Sequence, residues 1–184
     1  MAVNFPAALR ERLWEAAAPL RGLEFPVRWV AAEAIHLTLK FLGEADETRA
    51  EGLSAALDQA VTGVRALPVT VEGFGAFPNV THPSVIWAGV LHEPALELLQ
   101  HAVERAFGPL GFPTEGRPFR PHVTLGRTRR EAPRNAFPGL ERALESVVWS
   151  ETVYIDAISL MKSVTGKGRS HGPVYEEVKH GRLS

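Results

Sequence analysis

The sequence predicts a single domain of the α+β class, spanning residues 1–184. Three observations support this fold class. Stretches with helical periodicity alternate with stretches typical of strands, several strand-like stretches follow one another directly, and no low-complexity segment divides the chain. Directly consecutive strands favour antiparallel pairing over a doubly wound parallel sheet. The order of elements also recurs in the two halves, so we expect two lobes that share one cleft.

The helices are predicted from apolar stripes and from the residues that begin and end them. The first three stretches each begin with Pro or Asp, which are favoured at helix starts, and each ends at or near a Gly, which is favoured at helix ends. A short fourth helix is predicted within the polar, Pro-containing stretch that follows residues 122–128. The predicted helices cover residues 6–22, 46–63, 94–108 and 139–145.

The strands are predicted from short runs rich in β-branched and aromatic residues that are bounded by turn signals. They cover residues 27–30, 35–42, 67–77, 84–90, 122–128 and 173–179, and the stretch 147–163 is strand-rich. The Gly-rich segment 165–172 is interpreted as a hairpin connection, with contact to a ligand through Lys167, Arg169 or His171 as the alternative. The four tryptophans, at positions 14, 29, 87 and 149, are interpreted as core residues.

Composition excludes several classes of function. The chain has no Cys, so it has no disulfide framework, no thiolate nucleophile and no Cys-ligated zinc. It lacks an apolar run of about 18 residues and the features of a signal peptide, so we expect a cytoplasmic protein that does not enter a membrane. Its histidines do not have the spacing of zinc proteases, and no cofactor motif is present, so no metal or cofactor is expected. A monomer is the simplest expectation.

The tetrapeptide His-x-Thr-Leu occurs twice, at residues 36–39 and 122–125. Chance would produce roughly 0.04 such matches in a chain of this composition. Side chains alternate between the faces of a strand, so each His shares a face with the Thr two positions later, and the apolar residues occupy the other face. The same alternation places Lys40 on the face of the first His and Phe41 on the core side.

Four side chains, those of His36, Thr38, His122 and Thr124, are therefore the candidate catalytic group. If the two strands face each other, one neutral imidazole can take a proton from water while one imidazolium gives a proton to a leaving oxygen. The Thr hydroxyls can hydrogen-bond the non-bridging oxygens of a phosphate. This pattern favours acid–base cleavage of a phosphodiester without a metal, and it leaves open which His has which role.

The segment 117–130 surrounds the second motif and contains five Arg and no acidic residue. Such a run is a solvated face or an anion-binding surface. Within it, strict alternation would point Arg127 away from His122. Either the strand ends or bulges at Gly126, or Arg127 has a structural role.

The longer blocks "HLTLKFLG" and "FRPHVTLGR" resemble those of the two-histidine (2H) phosphoesterase superfamily, which is defined by paired His-x-Thr/Ser-x motifs. The chain is most similar to the RNA 2′,3′-cyclic phosphodiesterases of bacteria and archaea, also called 2′-5′ RNA ligases, over nearly its whole length. The resemblance implies a bilobal α+β fold with pseudo-twofold symmetry, in which two antiparallel sheets line a central cleft and the helices lie outside. It also implies metal-independent hydrolysis of RNA 2′,3′-cyclic phosphate ends to 2′-phosphomonoesters.

The resemblance further implies roles for five residues. His36 would be the acid that protonates the 3′ oxygen, His122 the base that activates water, and Thr38, Thr124 and Arg127 would hold the phosphate. The partner would be RNA with a terminal 2′,3′-cyclic phosphate, and tRNA fragments are among the substrates that fit. Two alternatives stay open, namely the reverse joining reaction that forms a 2′-5′ linkage, and binding of RNA ends without catalysis.

One departure from the family pattern lies at the N-terminus. The family opens with a longer first strand, whereas this chain opens with "MAVNFP". We therefore expect a short or missing edge strand at this place and reduced stability.

Overall fold

The computed structural model describes residues 1–133, 135–164 and 174–184, and it confirms the α+β class. The five α-helices of this part of the chain are α1 (Ala7–Ala16), α2 (Ala18–Arg21), α3 (Ala50–Val61), α4 (Pro94–Phe107) and α5 (Leu140–Ser146). Its nine strands are β1 (Ala2–Val3), β2 (Val27–Trp29), β3 (Leu37–Thr38), β4 (Leu67–Phe77), β5 (Val85–Val90), β6 (His122–Thr128), β7 (Ser150–Ile155), β8 (Ala157–Val164) and β9 (Val174–Arg182). The Gly-rich segment 165–172 lies outside the described residues, and with it Lys167, Arg169 and His171.

The strands form one sheet in the order β7-β4-β5-β6-β3-β1-β8-β9, and β2 pairs with β6 beside this path. Every pairing is antiparallel, as predicted. The order consists of four strands on either side of the contact between β6 and β3, where Leu37 faces Val123. The two sheets that the resemblance implies are therefore joined at this contact, and each side contributes one His-x-Thr strand to it.

The first strand, β1, is short but does not lie at an edge, so that part of the expectation was wrong. It lies in the interior of the sheet, where Ala2 faces Thr38 of β3 on one side and Ser159 of β8 on the other. The residues around it are also buried, with Val3 1% and Phe5 2% exposed. A strand of two residues is sufficient here because both neighbouring strands satisfy its backbone.

The predicted first helix is divided into α1 and α2 at Ala17. The cause is Pro19, which lacks a backbone N–H and whose ring would clash with the carbonyl of Glu15, four residues earlier. The chain therefore restarts its helix at Ala18 instead of continuing through this position.

The predicted strand 35–42 is only two residues long in the structure, which leaves His36 just before β3. After Thr38, the amides of both Leu39 and Lys40 donate to the carbonyl oxygen of Met1, at 2.9 and 3.2 Å. These two bonds turn the chain out of the sheet. The alternation of faces therefore stops at the end of the motif.

The placements of Lys40 and Phe41 were both wrong for this reason. Lys40 is only 2% exposed and forms a buried ion pair with Glu104 of α4, instead of sharing the face of His36. Its ammonium group also donates to the carbonyl oxygen of Pro113 at 2.8 Å. Phe41, assigned to the core, is 79% exposed.

The main core lies on the face of the sheet that carries Leu37 and Val123, both of which are fully buried. They belong to one apolar cluster with residues of α1, α3 and α4, such as Leu13, Leu57 and Leu99. The His and Thr side chains of the two motifs alternate with these residues and so face away from that core. Among the described residues, no helix is long and apolar enough to cross a membrane.

Candidate active site

The register of β3 and β6 brings the four predicted catalytic side chains together. Because Leu37 faces Val123 in an antiparallel pair, Thr38 lies level with His122, and His36 lies level with Thr124. Residues directly opposite on such strands have Cβ atoms about 4.5–5.5 Å apart, and diagonal neighbours lie about 7–8 Å apart. The two histidines occupy diagonal positions of this square, with the two threonines at the other corners.

The two imidazoles are held in the same way. Nδ1 of His36 lies 2.8 Å from the carbonyl oxygen of Ala34, and Nδ1 of His122 lies 2.8 Å from the carbonyl oxygen of Arg120. A carbonyl oxygen can only accept a hydrogen bond, so Nδ1 carries the proton in both rings. Nε2 is therefore the atom of each ring that is left to exchange a proton with a ligand.

Each imidazole also packs edge-on against one aromatic ring. His36 contacts Tyr175 of β9, with ring centroids 4.6 Å apart and an interplanar angle of 71°. His122 contacts Phe77 of β4 at 5.2 Å and 89°. These contacts restrict rotation of the rings and add to the orientation that the Nδ1 hydrogen bonds give.

The environment of His36 disfavours its protonated form. Burial of the ring lowers the pKa of His36 below its ordinary value, although the hydrogen bond to Ala34 acts in the opposite direction. The positive charges of the N-terminal amine of Met1 and of Arg127 lower the pKa further. Arg127 is thus close enough to act on the imidazole of the other strand. An anion bound between them would reverse this effect and favour the imidazolium.

A one-residue bulge at Leu125 in β6 explains how Arg127 reaches this face. Successive residues of β5 pair with Thr124 and then with Gly126, so that Leu125 is the extra residue. Both Leu125 and Gly126 are buried, whereas alternation would bury only one of them. After the bulge, Arg127 is exposed on the face that carries His122 and Thr124, which is one of the two outcomes that the sequence left open.

Sequence reasoning missed Arg28, which lies directly opposite Arg127 in the pairing of β2 with β6. Both side chains are exposed, and neither has a carboxylate partner in the part of the chain that the structure describes. Like charges directly opposite each other destabilise a sheet, and an anion bound between the two guanidinium groups would relieve this repulsion. The available signal was a lone charged residue between Val27 and Trp29 in a short apolar strand.

Trp87 was interpreted as a core residue, and the structure corrects this. Of the four tryptophans, the other three pack against the main core cluster, whereas Trp87 lines an open cavity of about 440 Å³ beside His122. Phe77, Phe119 and Arg120 also line this cavity. The His122 side of the candidate site therefore has an aromatic wall.

The described residues contain no group of three or more His, Cys, Asp or Glu side chains that could hold a metal ion. The candidate site consists of two imidazoles, two hydroxyls and two guanidinium groups. Such a set can exchange protons at two points and neutralise an anion between them, which are the requirements for acid–base substitution at a phosphate.

Comparison with known proteins identifies related chains along nearly the whole sequence. Residues 8–167 match the model of the 2′-5′ RNA ligase superfamily. An RNA 2′,3′-cyclic phosphodiesterase of Archaeoglobus fulgidus is 30% identical over 179 residues, which cover 97% of this chain and 96% of the relative. A protein of the same name from Methanothermobacter thermautotrophicus is 27% identical over 183 residues, or 100% of this chain and 97% of the relative.

The fold is also found among solved structures. The crystal structure of the protein TT0787 of Thermus thermophilus matches with a TM-score of 0.77 and 26% sequence identity. The match covers 99% of this chain and 95% of that one. The resemblance first seen in two short motifs therefore extends to the complete arrangement of strands and helices.

Proposed function

The chain belongs to the 2′-5′ RNA ligase superfamily, and from that premise we propose that it opens the 2′,3′-cyclic phosphate at the end of an RNA and leaves a 2′-phosphate. The observation that carries the proposal is the identical anchoring of the two imidazoles, each through Nδ1 to a backbone carbonyl. Both Nε2 atoms are thereby left for proton transfer, on diagonal positions of adjacent strands. Related proteins that carry the name RNA 2′,3′-cyclic phosphodiesterase support the choice of substrate.

In the proposed reaction the phosphate lies between the two histidines. Nε2 of His122 takes a proton from water, whose oxygen attacks phosphorus, while Nε2 of His36 gives a proton to the 3′ oxygen as it leaves on the opposite side. A diagonal separation of about 7–8 Å between strand positions leaves room for one phosphate with a hydrogen bond at each end. The product keeps its phosphate on the 2′ oxygen.

The lowered pKa of His36 is compatible with its role as the acid. Burial lowers the pKa in the free protein, and the charge of Arg127 adds to this effect. A cyclic phosphodiester brings one negative charge next to the ring, which favours the imidazolium. His36 would thus acquire its proton together with the substrate and would donate it to the leaving oxygen.

The remaining polar groups would hold the phosphate and stabilise its charge. The hydroxyls of Thr38 and Thr124 occupy the other two corners of the square and can donate to the non-bridging oxygens. Arg127 and Arg28, which are side by side without carboxylate partners in the described part of the chain, supply positive charge at the rim. Charge that is already in place costs no reorganisation when the transition state forms.

The test is hydrolysis of a short RNA with a terminal 2′,3′-cyclic phosphate, carried out in EDTA and followed by separation of the two isomeric products. We expect a 2′-phosphate, because the 3′ oxygen leaves toward His36. Formation of a 3′-phosphate would show that the substrate lies between the histidines in the reverse direction, with its 2′ oxygen toward His36. Tight binding of the RNA end without turnover would instead show a protein that recognises RNA ends.

A further inference from the structure

The indole of Trp87 lies next to two glycines of the sheet. Gly75 faces Trp87 across β4 and β5, and a Cβ atom built on it would lie 2.3 Å from the indole ring. Gly89 is two residues further along β5, and its Cβ atom would lie 3.4 Å from the same ring. A side chain at position 75 would clash with the ring, whereas a Cβ atom at position 89 would make an ordinary contact with it. The absence of a side chain at Gly75 therefore allows one face of the indole to rest on the backbone. We call this arrangement of Trp87 over Gly75 and Gly89 the indole platform.

The indole platform adjoins the candidate active site. In the pairing of β5 with β6, Trp87 lies directly opposite Thr124, so it occupies the same face of the sheet. Phe77 connects the two, because its ring lies 5.0 Å from that of Trp87 and 5.2 Å from that of His122. The platform and His122 line the same cavity of about 440 Å³, and Phe119 forms a further part of its wall.

The needs of the fold do not explain an indole at this position. The Nε1–H of Trp87 is buried and has no acceptor among the described residues, although a buried indole N–H usually finds one. An unpaired buried donor destabilises the protein. The presence of a destabilising indole beside a cavity indicates that the exposed face of its ring has a function.

The platform lies on the His122 side of the site. The two motif strands carry the same His-x-Thr pattern, but their outer neighbours differ. Trp87 lies opposite Thr124, whereas Ala2, only 3% exposed, lies opposite Thr38. The catalytic group can treat its two ends alike, but the indole platform distinguishes the His122 end from the His36 end, where Tyr175 packs edge-on against the imidazole.

We propose that the indole platform binds the nucleobase of a second RNA, whose 5′-hydroxyl takes the place of water beside His122. The inference rests on the proposed function, in which His122 activates the attacking group. Aromatic side chains bind unpaired bases by stacking, with little dependence on sequence. A nucleoside next to the activating base is positioned as the nucleophile, since the ribose of the cyclic phosphate departs toward His36.

The resulting step is an exchange of one phosphate ester for another. The proton of the 5′-hydroxyl passes to Nε2 of His122, and its oxygen forms a bond to phosphorus. The bond between phosphorus and the 3′ oxygen breaks, and that oxygen takes the proton of His36. The product is a 2′-5′ phosphodiester with a free 3′-hydroxyl, and no other reactant is consumed. The platform thus sets how often joining replaces hydrolysis.

The experiment measures joining and hydrolysis in the same mixture. A short RNA with a 2′,3′-cyclic phosphate is incubated with a second RNA that has a 5′-hydroxyl on either a normal nucleoside or an abasic residue. The ratio of joined to hydrolysed product is compared for the wild type and Trp87→Leu. Trp87→Phe keeps an aromatic face, and Trp149→Leu is the matched control, because Trp149 does not line the cavity.

With the normal second RNA, we expect the ratio to fall about tenfold or more in Trp87→Leu, by the usual contribution of one stacked base. Trp87→Phe should recover part of it, and Trp149→Leu should match the wild type. The abasic RNA should give the low ratio with every variant. Equal loss of joining and hydrolysis in Trp87→Leu, a wild-type ratio in that variant, or no joined product from the wild type would overturn the inference.

The same mixture separates failure of this inference from failure of the proposed function. If the cyclic phosphate is hydrolysed and the ratio of joined to hydrolysed product does not depend on Trp87, the proposed function is supported and only the inference about the indole platform is overturned. If the cyclic phosphate is not turned over at all, both the proposed function and the inference are overturned.

Discussion

Leu37 and Val123 face each other across β3 and β6, and this one pair joins the two sides of the sheet. Both side chains are fully buried, so the register of the two strands is fixed from the core side. A shift by one residue would turn every side chain to the other face. The position of the candidate catalytic group thus depends on an apolar contact on the opposite side of the sheet.

Replacing Arg127 with Gln should raise KM for the cyclic phosphate about 10–100-fold, because it removes a charge-assisted hydrogen bond to the anion. Arg28→Gln should act in the same direction, since the two guanidinium groups lie side by side. Steady-state kinetics on the oligonucleotide substrate measures both effects. Arg130→Gln is the matched control from the same Arg-rich segment, and an equal effect there would point to general electrostatics instead of a phosphate site.

The lowered pKa of His36 should make the protein less stable in mild acid. The unfolded chain binds this proton more readily than the folded protein, so the free energy of unfolding falls as pH drops below the ordinary His value and through the lower folded one. Urea unfolding of wild type and His36→Gln between about pH 5 and 7.5 tests this. The variant should lose less stability over this interval, and exposed His101→Gln serves as the control. A parallel loss in wild type and His36→Gln would contradict the assignment.

Adding a methyl group beneath the indole should destabilise the protein. In Gly75→Ala the new Cβ atom would lie 2.3 Å from the ring of Trp87, so the ring or the strand must move. Overpacking of this kind costs about 1–3 kcal/mol. Gly116→Ala is the control, because no atom lies within 4 Å of its new Cβ. Denaturant unfolding that finds the two variants equally stable would mean that the indole is free to leave the glycines.

Removing one partner of the buried pair of Lys40 and Glu104 should destabilise the protein strongly, whereas replacing both partners with apolar residues should not. Both side chains are at most 5% exposed, and Gln100 also donates to Glu104 at 3.0 Å. Lys40→Met alone leaves a buried carboxylate without its cation, which destabilises by about 3–5 kcal/mol. The double variant Lys40→Met, Glu104→Leu should recover most of that loss. Thermal unfolding of the two variants checks this, and a double variant no better than the single one would contradict it.

Local patterns sufficed to predict the fold class and to place each His and Thr of the candidate catalytic group on a common face. Alternation over three residues was enough to put each His and its Thr on one face, and both motifs keep that geometry. The errors arose where distant residues decide the local structure. Lys40 is buried because it forms an ion pair with Glu104, 64 positions away in the sequence. Phe41 comes directly after Lys40 in the resulting turn.

The position of Arg127 depended on a bulge that the sequence permits but does not require. The bulge appears only when β5 is paired with β6, because successive β5 residues face Thr124 and Gly126. Trp87 was assigned to the core for a similar reason. Gly75, which leaves room for its ring, lies on the neighbouring strand, so the arrangement requires the pairing of β4 with β5. Such features depend on which residues of different strands pair with each other, and local periodicity does not predict this.

The most direct test of the two-histidine account compares wild type, His36→Ala, His122→Ala and the double variant on an RNA with a terminal 2′,3′-cyclic phosphate, in EDTA. Each single change should lower the rate of hydrolysis about 10²–10⁴-fold, the usual contribution of one acid or base. Because both imidazoles act in one step, the double variant should lose far less than the product of the two single losses. Full activity in either single variant, with the fold intact, would contradict the account.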